Sequence, residues 1–431
     1  MMSDVLAITC AVMLVFIFFG IPVFISLLSG AAFYFALSKV PTLIIAQRVI
    51  AGMESIPLLA VPFFVCAGVF MNYSGVTKRV MDFCEVLIGK RIPGGLAQVN
   101  ILLSTLMGGL SGSNLADAAM EAKMLVPVMI RKGFSNPFSS VVTATSAMIT
   151  PLIPPGIAMI IYGSVANVSI GKLFVAGIGP GVLLCLALMV LVGFISVKRG
   201  YRSEPNPEVM RGGFGLALFR AFWPLCLPII IIGGIRLGIF TPTEAGSIAI
   251  AYALLLGVVY RDLTWDGFFT ALRETILTTA SIMVIVGAAS CFAWILTREM
   301  VPQRLTAFIV SAISNKYVFL MAVNLFLIVV GMFIEGNAAL IVLVPLLVPA
   351  ARAYGINDIQ FAMVVIFNLA VGCVTPPMGT LMFVTCGITG CSFKDFIKEC
   401  VPFYVVLGAC LLLLTFVPFF SQGIVDLFWT A

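Results

Sequence analysis

The sequence predicts an all-α polytopic membrane protein folded as an inverted-topology repeat, with two re-entrant helical hairpins and two broken helices. Composition is the first reason. Of 431 residues, 61% come from AVILMFWYC and 10% are charged, against roughly 45–50% and about 25% in soluble domains. A mean hydropathy of +1.18 leaves too few polar side chains to cover a surface facing water. The second reason is a series of apolar runs near the length of about 20 residues that a membrane crossing needs. The third is a self-similarity at a constant spacing of 222 residues.

In chain order, apolar runs predict spans near 5–19, 22–38, 56–74, 173–197, 221–238, 244–260, 277–296 and 400–420. Four further regions, 93–131, 134–166, 317–352 and 357–389, are apolar but interrupted near their middles by Gly, Pro, Ser, Thr or Asn. Segments 76–90, 264–276 and 392–399 mix charge with apolar residues, as amphipathic helices in the interface do. The basic connector VKRGYRSEPNPEVMRGG (197–213) divides the chain nearly in half, giving units 1–212 and 213–431. The first holds scaffold spans within 5–74, the 76–90 helix, hairpin 93–131, broken helix 134–166 and span 173–197. The second holds scaffold spans within 221–296, hairpin 317–352, broken helix 357–389 and span 400–420. The N-terminus lacks a basic leader and a small-residue cleavage site, so it reads as a retained span.

Several function classes fall on composition. There is no His, which removes the commonest general base and metal ligand. None of the 11 Cys forms a CxxC pair, and most lie in apolar runs, so they read as small buried hydrophobes. The net charge of +6 is scattered over connectors, which fits a positive-inside bias and not nucleic acid. No HExxH, GxSxG, paired-carboxylate arrangement or GxxxxGK[ST] loop is present, so neither an enzyme nor an ATP-driven pump is expected.

Lys90 and Arg91 at one mouth of 93–131, with Arg131 and Lys132 at the other, place both mouths on the cytoplasmic side. The segment is then a re-entrant hairpin. Region 134–166 crosses outward, 173–197 returns, and Lys198, Arg199, Arg202 and Arg211 lie inside with Arg261, Arg273, Lys394 and Lys398. Hairpin 317–352 is entered from outside, past only Lys316 and Arg352. Lys39 and Arg48 fall outside, against the trend.

The two interrupted pairs match. At the 222-residue spacing Pro127 meets Pro349, Gly133 meets Gly355, and Pro154 and Pro155 meet Pro376 and Pro377. Lys172, Phe174 and Pro180 likewise meet Lys394, Phe396 and Pro402, and a one-residue shift sets Asn114 against Asn337. One copy opens inward and the other outward, an architecture whose ligand sites form at discontinuous helices near the midplane.

The first tip, GGLSGSNLADAAM (108–120), carries Ser111, Gly112, Ser113 and Asn114, which disfavour a continuous helix. Its partner break, ATSAMITPLIPPG (144–156), holds Thr150, Pro151, Pro154, Pro155 and Gly156, and each Pro frees a carbonyl. In the second half FIEGNAAL (333–340) supplies Glu335, Gly336 and Asn337. Its partner NLAVGCVTPPMGT (368–380) supplies Asn368, Gly372, Thr375, Pro376, Pro377 and Gly379. Freed carbonyls with Ser, Thr and Asn oxygens suit Na⁺, so two related cation sites are expected, one per hairpin–break pair. An organic substrate would sit between them, against Ser113, Asn114, Pro154, Pro155, Gly156, Asn337, Pro377 and Gly379. Half-helix N-termini at the tips would favour an anion. Among ionisable residues, Asp117 either braces the hairpin or joins the ion site, and Glu335 is the stronger candidate for a cation or backbone contact. Glu244 reads as a structural first-turn acid, while Arg236 and Glu54 sit near span ends. Proton coupling through Asp117, Glu121 and Glu335 is the alternative to sodium.

With these motifs in view, the chain resembles the large membrane subunit (DctM type) of the tripartite ATP-independent periplasmic (TRAP) transporters. The resemblance rests on PFFVCAGVFMNYSGVTKRVMDF (62–83), GGLSGSNLADAA (108–119), TPLIPPGIAMIIYG (150–163), GKLFVAGIGPG (171–181), PIIIIGGIRLGIFTPTEAGSIA (228–249) and VTPPMGT (374–380). Asn114 departs from the family, whose commoner members have a small apolar residue there. The resemblance implies an elevator-type, Na⁺-coupled importer of organic acids such as C4-dicarboxylates or sialic acid, in a bacterial inner membrane. It implies no cofactor beyond the coupling ion. It implies two partners: a small four-helix membrane subunit on a separate chain, and a soluble periplasmic substrate-binding protein. It places one ion site at Ser111, Ser113 and Asn114 with Thr150 and Pro151, and the other at Glu335, Gly336 and Asn337 with Thr375 and Pro376.

Overall fold

The computed structural model describes residues 2–38, 40–88, 92–201 and 212–429. The basic residues Lys39, Lys90, Arg91, Arg202 and Arg211, used above for orientation, lie outside them. The fold is all-helical, with no strand among the described residues. Among the described residues eight helical runs, including Ile56–Tyr73, Ile170–Arg199 and Trp265–Arg298, are long and apolar enough to cross a membrane.

The first half runs α1 (Met2–Phe18), α2 (Val23–Leu37), α3 (Leu43–Met53), a 3₁₀ turn (Ile56–Leu59) leading into α4 (Ala60–Tyr73), and α5 (Val76–Ile88). Next come α6 (Gly95–Ser111), α7 (Asn114–Met124), α8 (Val126–Arg131), α9 (Asn136–Ser146), a 3₁₀ turn (Ala147–Leu152), α10 (Ile157–Ala166) and α11 (Ile170–Arg199). The second half has α12 (Gly213–Arg236), α13 (Pro242–Tyr260), α14 (Trp265–Arg298), α15 (Val301–Ala312), α16 (Lys316–Phe333) and α17 (Gly336–Ala353). It closes with α18 (Asp358–Gly372), α19 (Thr380–Thr389), α20 (Phe393–Phe416) and the short α21 (Gln422–Phe428).

Three differences from the sequence reading have local causes. Segments 264–276 and 392–399 are not separate helices. Capping by the Thr264 and Ser392 side chains starts α14 and α20 there, and no breaker intervenes before the apolar stretch. Helices α3 and α15 fill stretches given no element, because Gln47 and Arg48, and Gln303 and Arg304, interrupt their hydrophobicity. Finally, the structural register between halves is 222 without a shift. Asn114 and Gly336 both begin half-helices, so Asn114 corresponds to Gly336 and not to Asn337.

The register extends to hydrogen bonds. Ser113 caps α7 by accepting from the Ala116 N–H, and 222 residues on Glu335 caps α17 by accepting from the Ala338 N–H. Ser135 and Asn357 cap α9 and α18 in the same way. Ser146 donates to Asn100, tying α9 to α6, and its equivalent Asn368 donates to Asn324, two residues beyond the equivalent of Asn100, tying α18 to α16. Elsewhere, Thr241 and Glu244 form a reciprocal capping box, which is the structural role expected of Glu244.

Each half packs its broken elements against those of the other: α7 lies on α19 and α10 lies on α17. Asn136 donates to the carbonyl of Thr389 at the end of α19 (3.0 Å), while Arg352, paired with Asp358, donates to the carbonyl of Ala166 at the end of α10 (3.0 Å). Around this block α4 packs on α13 and α14, α14 on α2 and α3, and α12 on α5. Large apolar side chains including Phe18, Val190, Phe194, Ile229, Val258 and Val405 point outward, as surfaces in contact with lipid do. The chain is a multi-pass membrane protein.

At the α16–α18 crossing, a Cβ on Gly372 would lie 2.5 Å from the Cα of Gly331. Gly372→Val should therefore destabilise by about 1–3 kcal/mol, read as a lower Tm of the purified chain in nanodiscs. Gly387, exposed within α19 with open space around it, is the control. Gly387→Ala should leave Tm unchanged or raise it.

Candidate functional site

The site begins with two helix interruptions. Helix α6 ends on Ser111, and Gly112 turns the chain at φ +64° before Ser113 caps α7. Glycine is required twice over at 112. A Cβ there would meet the Pro155 carbonyl oxygen at 2.6 Å, and the Gly112 carbonyl accepts from the Ile157 N–H at the start of α10. The first tip is thus fastened to its own partner break. In the second half α16 ends at Phe333, Ile334 is extended, and Glu335 caps α17.

The two tips meet. Gly112, Ser113 and Asn114 line one narrow cleft with Glu335, Gly336 and Asn337, and Pro151 and Cys373 reach the same cleft from the two breaks. Ala158, Leu340, Leu369 and Ala370 form its apolar walls. The N-termini of α7 and α17 therefore converge, and with them the positive ends of two helix dipoles.

Asp117, fully buried on the first turn of α7, accepts from the Thr150 hydroxyl at 2.8 Å, with the Ser111 side chain as a further polar neighbour and no geometrically regular bond at Oδ1. One turn further Glu121, also buried, accepts from Ser104 at 2.7 and 2.9 Å. Neither carboxylate has a basic partner among the described residues. Burying a charge is costly unless it is paired, and an ionised Asp117 or Glu121 has no basic side chain here to offset that cost. Both halves carry acid near the tip, Asp117 and Glu121 inside the helix in the first and Glu335 at the cap in the second.

The breaks expose backbone oxygen. The carbonyls of Ile153, Pro154 and Pro155, and of Thr375, Pro376 and Pro377, accept no backbone hydrogen bond among the described residues. Both Pro–Pro bonds are cis. Gly379 is needed for close approach, since a Cβ would lie 2.6 Å from the Cys373 carbonyl oxygen.

Of the residues expected from sequence, Ser111 lies buried beneath the first tip and Thr150 faces Asp117. Pro154, Pro155 and Gly156 form the turn under Gly112, with Thr375, Pro376, Pro377 and Gly379 forming its counterpart. Gly372 packs on Gly331, and its carbonyl accepts from the Thr375 N–H. A contribution from the scaffold was not foreseen. Val23 and Phe24 of α2, and Thr278, Ser281, Ile282 and Ile285 of α14, line a second cavity that shares Ser113, Glu335 and Asn337 with the tips. No local signal marks these residues, which look like ordinary span residues.

The family model described as "Tripartite ATP-independent periplasmic transporter, DctM component" matches residues 10–420. The chain is 42% identical over 414 residues, 96% of each sequence, to the sialic acid TRAP transporter large permease protein SiaM of Vibrio cholerae. It is 34% identical over 398 residues, 92% of each, to the C4-dicarboxylate TRAP transporter large permease protein DctM of Pseudomonas aeruginosa. Among solved structures, the Alcanivorax borkumensis YdaH transporter shares the fold with a TM-score of 0.61 at 14% identity, over 87% of this chain and 88% of that one.

The Thr150–Asp117 hydrogen bond is buried. Thr150→Val should cost about 1.5–3 kcal/mol of stability. In a double-mutant cycle with Asp117→Asn, the two losses should fall short of additive, as measured by thermal unfolding in detergent.

Proposed function

The chain belongs to the DctM component family of tripartite ATP-independent periplasmic transporters, and on that premise we propose that it imports an organic acid by sodium coupling. In this reading it is the large membrane subunit of a bacterial inner-membrane system. A small four-helix subunit on another chain completes it, and a soluble periplasmic binding protein delivers the cargo. Relatives named for sialic acid and C4-dicarboxylate transport support organic acids as the cargo class.

The observation that carries sodium coupling is the convergence of both tips and both breaks on one cleft, with Glu335 lining it and Asp117 buried one turn behind the first tip. The Asp117 Oδ1, which has no regular hydrogen bond, and the unbonded carbonyls of 153–155 and 375–377 fit a small hard cation. Sodium near each tip would offset Asp117 and Glu335. The N–H groups opening α7 and α17 would then be free to draw in a carboxylate. Filling the sites with both ions and cargo removes the charge imbalance that resists movement through hydrocarbon. The interlocked block of α6 to α11 and α16 to α20 would slide as one body against α1 to α4 and α12 to α14. This is alternating access by an elevator, with the halves inserted in opposite senses.

Proteoliposomes holding the chain and both partners should accumulate cargo only under an inward sodium gradient. Equal uptake without sodium would overturn the proposal. Asn114→Ala and Asn337→Ala should each raise the sodium concentration for half-maximal uptake by about 5–10-fold while leaving the thermal melt in place. Buried Asp117 and Glu121 without basic partners also favour a proton-coupled reading. Uptake that follows pH at fixed sodium, and is lost in Asp117→Asn, would select that alternative.

A further inference from the structure

The cavity of about 700 Å³ between the tips and the scaffold is lined largely by apolar side chains, among them Val23, Phe24, Leu115, Ile157, Ile282 and Ile285. Its few polar side chains are Ser113, Glu335 and Asn337 from the tips and Thr278 and Ser281 from α14. No Lys or Arg lines it. Much of this polar set is already engaged. Ser281 donates to the Leu277 carbonyl, Ser113 accepts from the Ala116 N–H, and Glu335 accepts from the Ala338 N–H. The Ser113 proton and the Thr278 hydroxyl remain to meet a ligand beside the N-termini of α7 and α17, while the Asn337 side chain is engaged with the Glu335 carboxylate.

That inventory suffices for one carboxylate. A second carboxylate, or a row of hydroxyls, would lie against aliphatic and aromatic carbon. Each such group would lose its water without replacement, weakening binding by a factor of about ten or more. An apolar body in the same place gains by burial. Resting on the reading of this chain as an organic-acid importer, we propose that its membrane cavity selects monocarboxylates with an apolar aliphatic or aromatic body, and disfavours dicarboxylates and polyhydroxylated acids. The carboxylate sits at the tips and the body extends along α2 and α14. The cavity's size is within the range of sites that enclose small organic ligands.

The test is thermal unfolding of the full chain in nanodiscs, with and without sodium. The probes are 4-methyl-2-oxopentanoate, phenylacetate, succinate and N-acetylneuraminate at equal concentration. The two monocarboxylates should raise Tm by about 2–4 °C in sodium and less without it. Succinate and N-acetylneuraminate should leave Tm unchanged. Ile282→Trp, which fills the apolar body, should abolish the monocarboxylate shift while the shift from sodium alone persists. Thr278→Val, which keeps the volume, should raise the monocarboxylate concentration needed by about 5–10-fold. A sodium shift accompanied by stabilisation from succinate or N-acetylneuraminate but not from the monocarboxylates overturns the selectivity and leaves the transport reading standing. No shift from the monocarboxylates in sodium also overturns it. Absence of any shift from sodium alone counts instead against sodium coupling.

Discussion

Everything in this fold depends on how interrupted helices are kept whole inside hydrocarbon. A helix end leaves four N–H or four C=O groups without partners, and lipid offers none. Here the missing partners come from within the protein. Ser113 and Glu335 cover the opening N–H groups of α7 and α17, and the Gly112 carbonyl takes the Ile157 N–H. Asn136 and Arg352 cover the closing carbonyls of α19 and α10. At the two breaks the carbonyls of 153–155 and 375–377 accept no such backbone bond among the described residues.

The two halves solve the same geometric problem with different chemistry. Ser113 and Glu335 occupy equivalent caps, one neutral and one acidic. Asp117 supplies the missing charge in the first half, and its counterpart in the second is Ala339. The acids differ in number and in depth: Asp117 and Glu121 lie buried in the first half against Thr150 and Ser104, and Glu335 lines the cleft in the second. Two cation sites of this kind would differ in affinity and in order of filling, because a buried carboxylate exchanges its partner for a different environment than a rim carboxylate does.

The legible part of the fold is the part that local chemistry writes. Gly112, Ser113 and Asn114 break a helix wherever they occur together, and the paired prolines at 154–155 and 376–377 do the same. Their 222-residue spacing linked the halves before any contact was known. Helices α3 and α15 were not legible because their charges mask a one-sided apolar face. The bond between Thr150 and Asp117 spans 33 residues, so the sequence left Asp117 open between bracing and binding. The scaffold wall was illegible for a stronger reason. Val23, Phe24, Thr278 and Ser281 reach the tips only through tertiary packing, and each is unremarkable in its own helix.

The reciprocal packing of α7 on α19 and α10 on α17 bears on ancestry. Contacts in which one half lends the other what it receives in return have the signature of a two-fold interface between identical subunits. A half-length ancestor would have had bare helix ends along that face, so it could have persisted only as a pair of copies. Joining two such copies into one polypeptide would release each from the demand of self-complementarity, a freedom consistent with acids placed at 117 in one half and at 335 in the other.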